Sequence, residues 1–154
     1  MHIQASELPS ERPLVAIAVG AAVAGTLHLA YAILTAGWSI PLAITGGLLG
    51  PQVFTTGGAA PYALGVLLHY SFAAAMAAFY FWASRRLRFL SDHWLVCGIY
   101  YGITIWMVMH LIVLPLSALH NPGPYSASDE VVGLVEHIIT VGLPIAYSVR
   151  RYAP

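Results

Sequence analysis

Of 154 residues, 59% are apolar and only 8% charged, a third of the roughly 25% that a soluble domain carries. All six basic residues are arginines and six acids balance them, so there is no basic face and nucleic-acid binding is excluded. The single cysteine, Cys97, rules out an internal disulfide framework and any multi-cysteine zinc site. These numbers describe a small integral membrane protein.

A bilayer core of about 30 Å needs about 20 apolar helical residues, and four stretches satisfy this. The first runs over 14–37 behind Pro13, the second over 62–83, the third over 94–116 and the fourth over 131–149. The composition and span count predict an all-α fold, a four-helix bundle of one domain covering 1–154. Ala22-Val23-Ala24 has the small-x-small look of a signal-peptide cleavage site, but the apolar run continues to Gly37 and the leader is acidic (Glu7, Glu11). The first helix is therefore expected to be retained.

Arginine marks the cytoplasmic side. Arg12 precedes the first span, Arg85, Arg86 and Arg88 lie between the second and third, and Arg150 and Arg151 follow the fourth. Four crossings put these three places on one side, so both termini are expected in the cytoplasm. Asp129 and Glu130 then fall in an external loop, with the turn-rich Asn121-Pro122-Gly123-Pro124 before them. Trp38, Trp82, Trp94, Tyr147 and Tyr152 sit at span ends, where interfacial aromatics belong. Binding to anionic lipid is the expected secondary effect of the arginine triplet.

The uncharged segment 39–60 holds Pro41, Gly46-Gly47, Gly50-Pro51 and Gly57-Gly58, punctuation too dense for a crossing. A short helix over 41–49 is predicted, either an interfacial spacer or a re-entrant piece dipping into the bundle as an external lid, since irregular backbone at membrane depth must face protein or a wet cavity.

Each span carries one histidine: His28, His69, His110 and His137. Ionisable residues inside spans point to function. At 1.5 Å of rise per residue, His28 falls about 4 Å outward of mid-span, His69 about 5 Å, His110 about 7 Å and His137 about 4 to 5 Å, a common level in the outer half. Their helical neighbours are mostly small: Gly20, Ala21, Ala24, Ala32 and Thr35 around His28; Gly65, Ala73 and Ala77 around His69; Gly98, Gly102, Trp106 and Ser117 around His110; Gly133 and Thr140 around His137. Small residues mark helix contacts in lipid, so all four imidazoles are predicted to face inward. Glu136 points about 100° from His137, toward the first or third span or out to the surface. Pro115 and Pro144 should release the carbonyls of Leu111 and Thr140 near this layer.

Three chemistries suit such a layer. The imidazoles hydrogen-bond across helices as structural groups. Or they line a pathway or pocket for a proton or small polar solute. Or they hold a metal or haem, imidazole suiting zinc, copper and iron, with Met107 and Met109 as nearby soft donors. Against the last, no two histidines are three or four residues apart and no carboxylate pair accompanies them. His2, His93 and His120 fall in termini or loops and are expected to be solvated; Cys97 is expected to act as a small apolar residue. No Gly-rich phosphate cradle, Ser-His-Asp arrangement or catalytic acid pair is evident, and the short loops offer no soluble catalytic domain.

Several phrases resemble a family of small uncharacterised bacterial inner-membrane proteins. They are Gly46-Gly47-Leu48-Leu49-Gly50, Phe54-Thr55-Thr56-Gly57-Gly58, Leu64-Gly65-Val66-Leu67-Leu68-His69, Gly102 with Pro115-Leu116-Ser117, and Gly142-Leu143-Pro144-Ile145-Ala146. The resemblance covers nearly the whole chain from the first span onward. It implies four helices in a bacterial cytoplasmic membrane and brings no established activity. It also implies histidine at the positions of His69 and His137 and other polar residues, often, at those of His28 and His110, which weakens a four-histidine metal centre as a general family function and leaves open a pocket built around the first pair. The expectation is a non-enzymatic membrane protein. It is either an accessory or scaffold component, with a membrane-protein partner or a homo-oligomer because four helices enclose little space, or a binder of a small solute or proton through His28, His69, His110, His137 and Glu136. A haem- or copper-binding redox protein is the alternative.

Overall fold

The structure, a computed structural model, describes residues 12–120 and 126–153. The leader with His2, Glu7 and Glu11 and the turn at Asn121-Pro122-Gly123-Pro124 lie outside them. Among the described residues all regular structure is helical, in the order α1 (Pro13–Ala36), α2 (Ile40–Leu49), α3 (Val53–Thr56), α4 (Ala59–Arg86), α5 (Phe89–Asp92), α6 (Trp94–Leu116) and α7 (Ala127–Tyr152). Helices α1, α4, α6 and α7 are long and apolar enough to cross a membrane. They overlie the four predicted stretches, α4 and α7 running about a turn beyond the expected ends.

The helix ends follow from local chemistry. Pro13 opens α1, where a missing N–H removes nothing from the ladder. Ser126 caps α7: its Oγ accepts from the Asp129 backbone N–H at 3.1 Å while the Asp129 carboxylate accepts from the Ser126 N–H at 3.3 Å, a reciprocal cap. The two prolines inside spans are each preceded by a π-helical turn, Met109–Val113 in α6 and Ile138–Gly142 in α7. There the Leu114 N–H bonds to Met109 O and the Leu143 N–H to Ile138 O. The expected release of the Leu111 and Thr140 carbonyls presupposed α-helical register. The extra residue in each turn shifts that register, which accommodates the proline without a break.

The long helices pack in the spatial order α4–α1–α7–α6. Contacts are made by small side chains: Ala16, Ala24, Ala73, Ala77 and Ala146 are buried around Tyr80 and Ile145. Closest approach is between α6 and α7, where a Cβ added at Gly102 would lie 2.5 Å from the Ile138 Cα. Packing of this kind is how helices adhere in lipid, where no hydrophobic force distinguishes neighbour from solvent. The row is closed at one end of the molecule, where the Tyr101 hydroxyl of α6 donates to the Met76 carbonyl of α4 at 2.7 Å and the Tyr80 and Tyr101 rings meet at 4.9 Å. This end also holds the arginines. The Arg12 N–H bonds to Tyr152 O at 2.9 Å, Arg150 reaches the carbonyl of Asp92 at 3.2 Å, and Arg86 lies 5.7 Å over the Trp82 ring.

Toward the opposite end α4 and α6 diverge, and α2 lies across the gap. Its seat on α4 depends on Gly65, because a Cβ there would overlap the Pro41 carbonyl, and on the buried Thr45, whose hydroxyl donates to Pro61 O at 2.6 Å. Its other edge meets the chain after α6, where the Ala118 N–H bonds to Gly47 O at 2.7 Å. The predicted short helix is thus present as a bridge between the two rims.

Candidate functional site

Because α4, α1, α7 and α6 are neighbours in that order, their histidines form a row. The ring centroids of His69 and His28 are 5.4 Å apart, those of His28 and His137 4.8 Å, and those of His137 and His110 6.4 Å. All four predicted imidazoles are therefore brought together at one level. Glu136 joins them. Of the directions open to it, the carboxyl takes the one toward α1, and the Glu136 side chain is 4% exposed. Its Oε2 is 2.8 Å from His137 Nδ1 and 3.7 Å from His28 Nε2, and its Oε1 accepts from the Thr140 hydroxyl at 2.5 Å. Residues 136 and 137 both turn inward because α7 has α1 on one side and α6 on the other, so two directions 100° apart are both interior.

Backbone carbonyls fix the tautomers. A carbonyl can only accept, so His69 carries its proton on Nε2, donating to Gly25 O of α1 at 2.8 Å. His110 carries its proton on Nδ1, facing Trp106 O at 3.0 Å, and His137 on Nδ1, facing Gly133 O at 2.8 Å as well as the Glu136 carboxyl. In His69 and His137 the other ring nitrogen, Nδ1 and Nε2 respectively, keeps its lone pair. The Trp106 ring rests 4.8 Å from His110, and its indole N–H is buried without a hydrogen-bond acceptor among the described residues, 3.3 Å from where a Cβ on Gly133 would stand.

The row forms one wall of a cavity of about 570 Å³, within the range of small-molecule sites. His28, His69 and His137 line it, α2 covers it through Ile40, Ala43 and Ile44, and Met76 and Met109 also contribute to its lining. Phe72 and Ile112, also in its lining, are about half exposed. The expectation that four helices enclose little space therefore fails, and its cause is the divergence of α4 and α6.

The remaining candidates stand apart. His93 and His120 are exposed, as expected. Cys97 is half-buried, its thiol 3.7 Å from Phe89 O. Met107 faces outward, 44% exposed; Met109 alone of that pair reaches the cavity. Sequence reasoning treated Thr140 as a small spacer, although its position four residues after Glu136 is hydrogen-bonding distance on a helix. The carbonyls of Gly25, Gly133 and Trp106 have no sequence signal of their own.

Residues 50–142 match the family described as "Protein of unknown function (DUF1440)". The match takes in His69, His110, Glu136 and His137 and leaves His28 outside. No curated protein and no solved structure shows significant similarity to the chain. Since the matched region spans more than half of the 154 residues, the chain belongs to the DUF1440 family, whose function is unknown.

Proposed function

We propose that this is a binding protein of the bacterial inner membrane, with both termini and all arginines in the cytoplasm, that takes up a small amphiphilic solute from the lipid into the cavity between α4 and α6. The observation that carries this reading is the chemistry of the cavity wall. Apolar side chains surround a polar floor made of three imidazoles and the neighbouring Glu136 carboxyl. Because the His69 and His137 N–H groups are spent on backbone carbonyls, what these rings offer a ligand is a lone pair. The solute is therefore one with an apolar body and a hydrogen-bond-donating head, such as a phenol or an amine. It enters sideways, past Phe72 and Ile112, rather than through the arginine end, which Tyr80 and Tyr101 close.

The test compares 4-octylphenol with its O-methyl ether, which is equally apolar but has no donor, by calorimetric titration into protein-containing and empty nanodiscs. One hydrogen bond in a dry site is worth about 1.4 kcal/mol, or tenfold in affinity. The phenol is expected to bind saturably at one site, about tenfold tighter than the ether, and His69→Ala is expected to abolish that difference. Equal binding of the two compounds, or a preference that survives His69→Ala, refutes the proposal.

A further inference from the structure

We infer that His28, Glu136 and His137 together hold a divalent first-row transition-metal ion at the floor of the cavity. One ligand atom from each of the three lies within 4.8 Å of the others. The residues come from two packed helices rather than a local chelate, so the site exists only in the folded bundle. Two imidazole nitrogens and one carboxylate oxygen suit Zn²⁺ and its first-row neighbours, whereas Ca²⁺ and Mg²⁺ require shells made of oxygen. Bonds of about 2.0–2.2 Å to a tetrahedral ion place donors roughly 3.3–3.6 Å apart. Closing from 4.8 Å thus asks for about an ångström of side-chain rotation, for which His28, 24% exposed toward the cavity, has room.

The donor atoms already face one another, with a proton in the ion's place. His137 Nδ1 lies 2.8 Å from Glu136 Oε2, so metal binding there displaces the Nδ1 proton now shared with Gly133 O and leaves the ring's N–H on Nε2. The Thr140 hydroxyl engages Glu136 Oε1, so Oε2, the oxygen nearer His28, is the one presented. Three protein donors leave one tetrahedral position facing the cavity, the arrangement of a site that exchanges ligands. This deepens the binding reading by adding a Lewis-acidic group to the cavity floor. The two tests are separable, because the octylphenol comparison reads His69, which is not among the three donors.

The full-length protein, purified in detergent with a histidine-free tag and stripped with a chelator, is titrated with Co²⁺ while its visible d–d absorption is recorded, and Zn²⁺ is then used to displace it. One equivalent of Co²⁺ is expected to give an intense four-coordinate spectrum that Zn²⁺ removes. Affinity is expected to fall by at least about 100-fold in His28→Ala and in Glu136→Gln, and about tenfold in Thr140→Val, which disturbs only the orientation of a ligand. The double substitution His93→Gln, His120→Gln is expected to leave it unchanged. Should Glu136→Gln fail to fold, His28→Ala decides, because His28 is partly exposed. The inference is overturned if folded wild-type protein takes up no Co²⁺, if His28→Ala binds it as tightly as wild type, or if binding follows His93 and His120.

Discussion

The glycines of the bundle were read from the sequence as one class, yet the geometry separates them, and substituting each by alanine tests the helix packing that builds the site. At Gly20 the new methyl would stand 3.4 to 3.6 Å from Ser148, Ala77 and Ile145, which is ordinary contact. Alanine improves helix propensity by up to about 1 kcal/mol, so Gly20→Ala is expected to be neutral or stabilising by that amount. At Gly98 the neighbours lie at 3.1 to 3.2 Å; the Leu143 methyl can give by a few tenths of an ångström, while the Ala146 Cβ and Gly142 O move only with the backbone, and a loss of about 1 kcal/mol is expected. At Gly102 the methyl would meet the backbone of α7, 2.5 Å from Ile138 Cα and 2.9 Å from His137 O. Those atoms cannot swing aside, so α6 and α7 must separate by about 0.9 Å to restore a 3.4 Å contact. Overpacking of that size costs about 1–3 kcal/mol, which propensity offsets only in part. The net expectation is a loss of up to about 2 kcal/mol, and, because the propensity gain is common to both positions, a gap of about 1–3 kcal/mol between Gly102→Ala and Gly20→Ala. Unfolding by sodium dodecyl sulfate from dodecylmaltoside micelles, followed by tryptophan fluorescence, measures the order. Equal stability of the Gly20 and Gly102 variants, or the reverse order, would show that α6 and α7 do not approach as described, and the juxtaposition of His110 with His137 would fall with it.

Two further outcomes bear on the cover and the orientation. Gly65→Ala places a methyl against the Pro41 carbonyl and 2.9 Å from its Cα, so α2 is expected to lift from α4; a cysteine introduced at Ala43, which lines the cavity, should then react faster with a soluble maleimide, and an unchanged rate would show that α2 is not held there by Gly65. For orientation, a fluorescent protein fused after Pro154 should mature and an alkaline phosphatase fused at the same point should stay inactive, since only a cytoplasmic terminus gives that pair of results; the opposite pair inverts the proposed topology and places the histidine row near the cytoplasm.

The spans were legible because hydropathy and length answer to the bilayer, which imposes one rule on every helix. The level of the histidines was legible for a related reason: with rise per residue fixed, position along a span becomes depth, and four separate counts reached one plane. What a single helix cannot disclose is which neighbours it takes. The order α4–α1–α7–α6 decides that His28 stands between His69 and His137, that Glu136 turns to α1 rather than to lipid, and that α4 and α6 part to leave a cavity. That order is set by atom-scale fits such as Gly102 against Ile138 and Gly65 against Pro41, which leave only a small residue in the sequence and no record of its partner. The tautomers were hidden for the same reason, since they are chosen by the carbonyls of Gly25 and Gly133, and every residue has a carbonyl. The chemistry of the floor thus arises from backbone carbonyls rather than from any motif: one helix contact, at Gly25, and one bond back along α7, at Gly133, turn histidines that could each donate or accept into rings that present lone pairs to one cavity, beside a carboxyl. Such a surface is complementary to a donor or a cation and to little else.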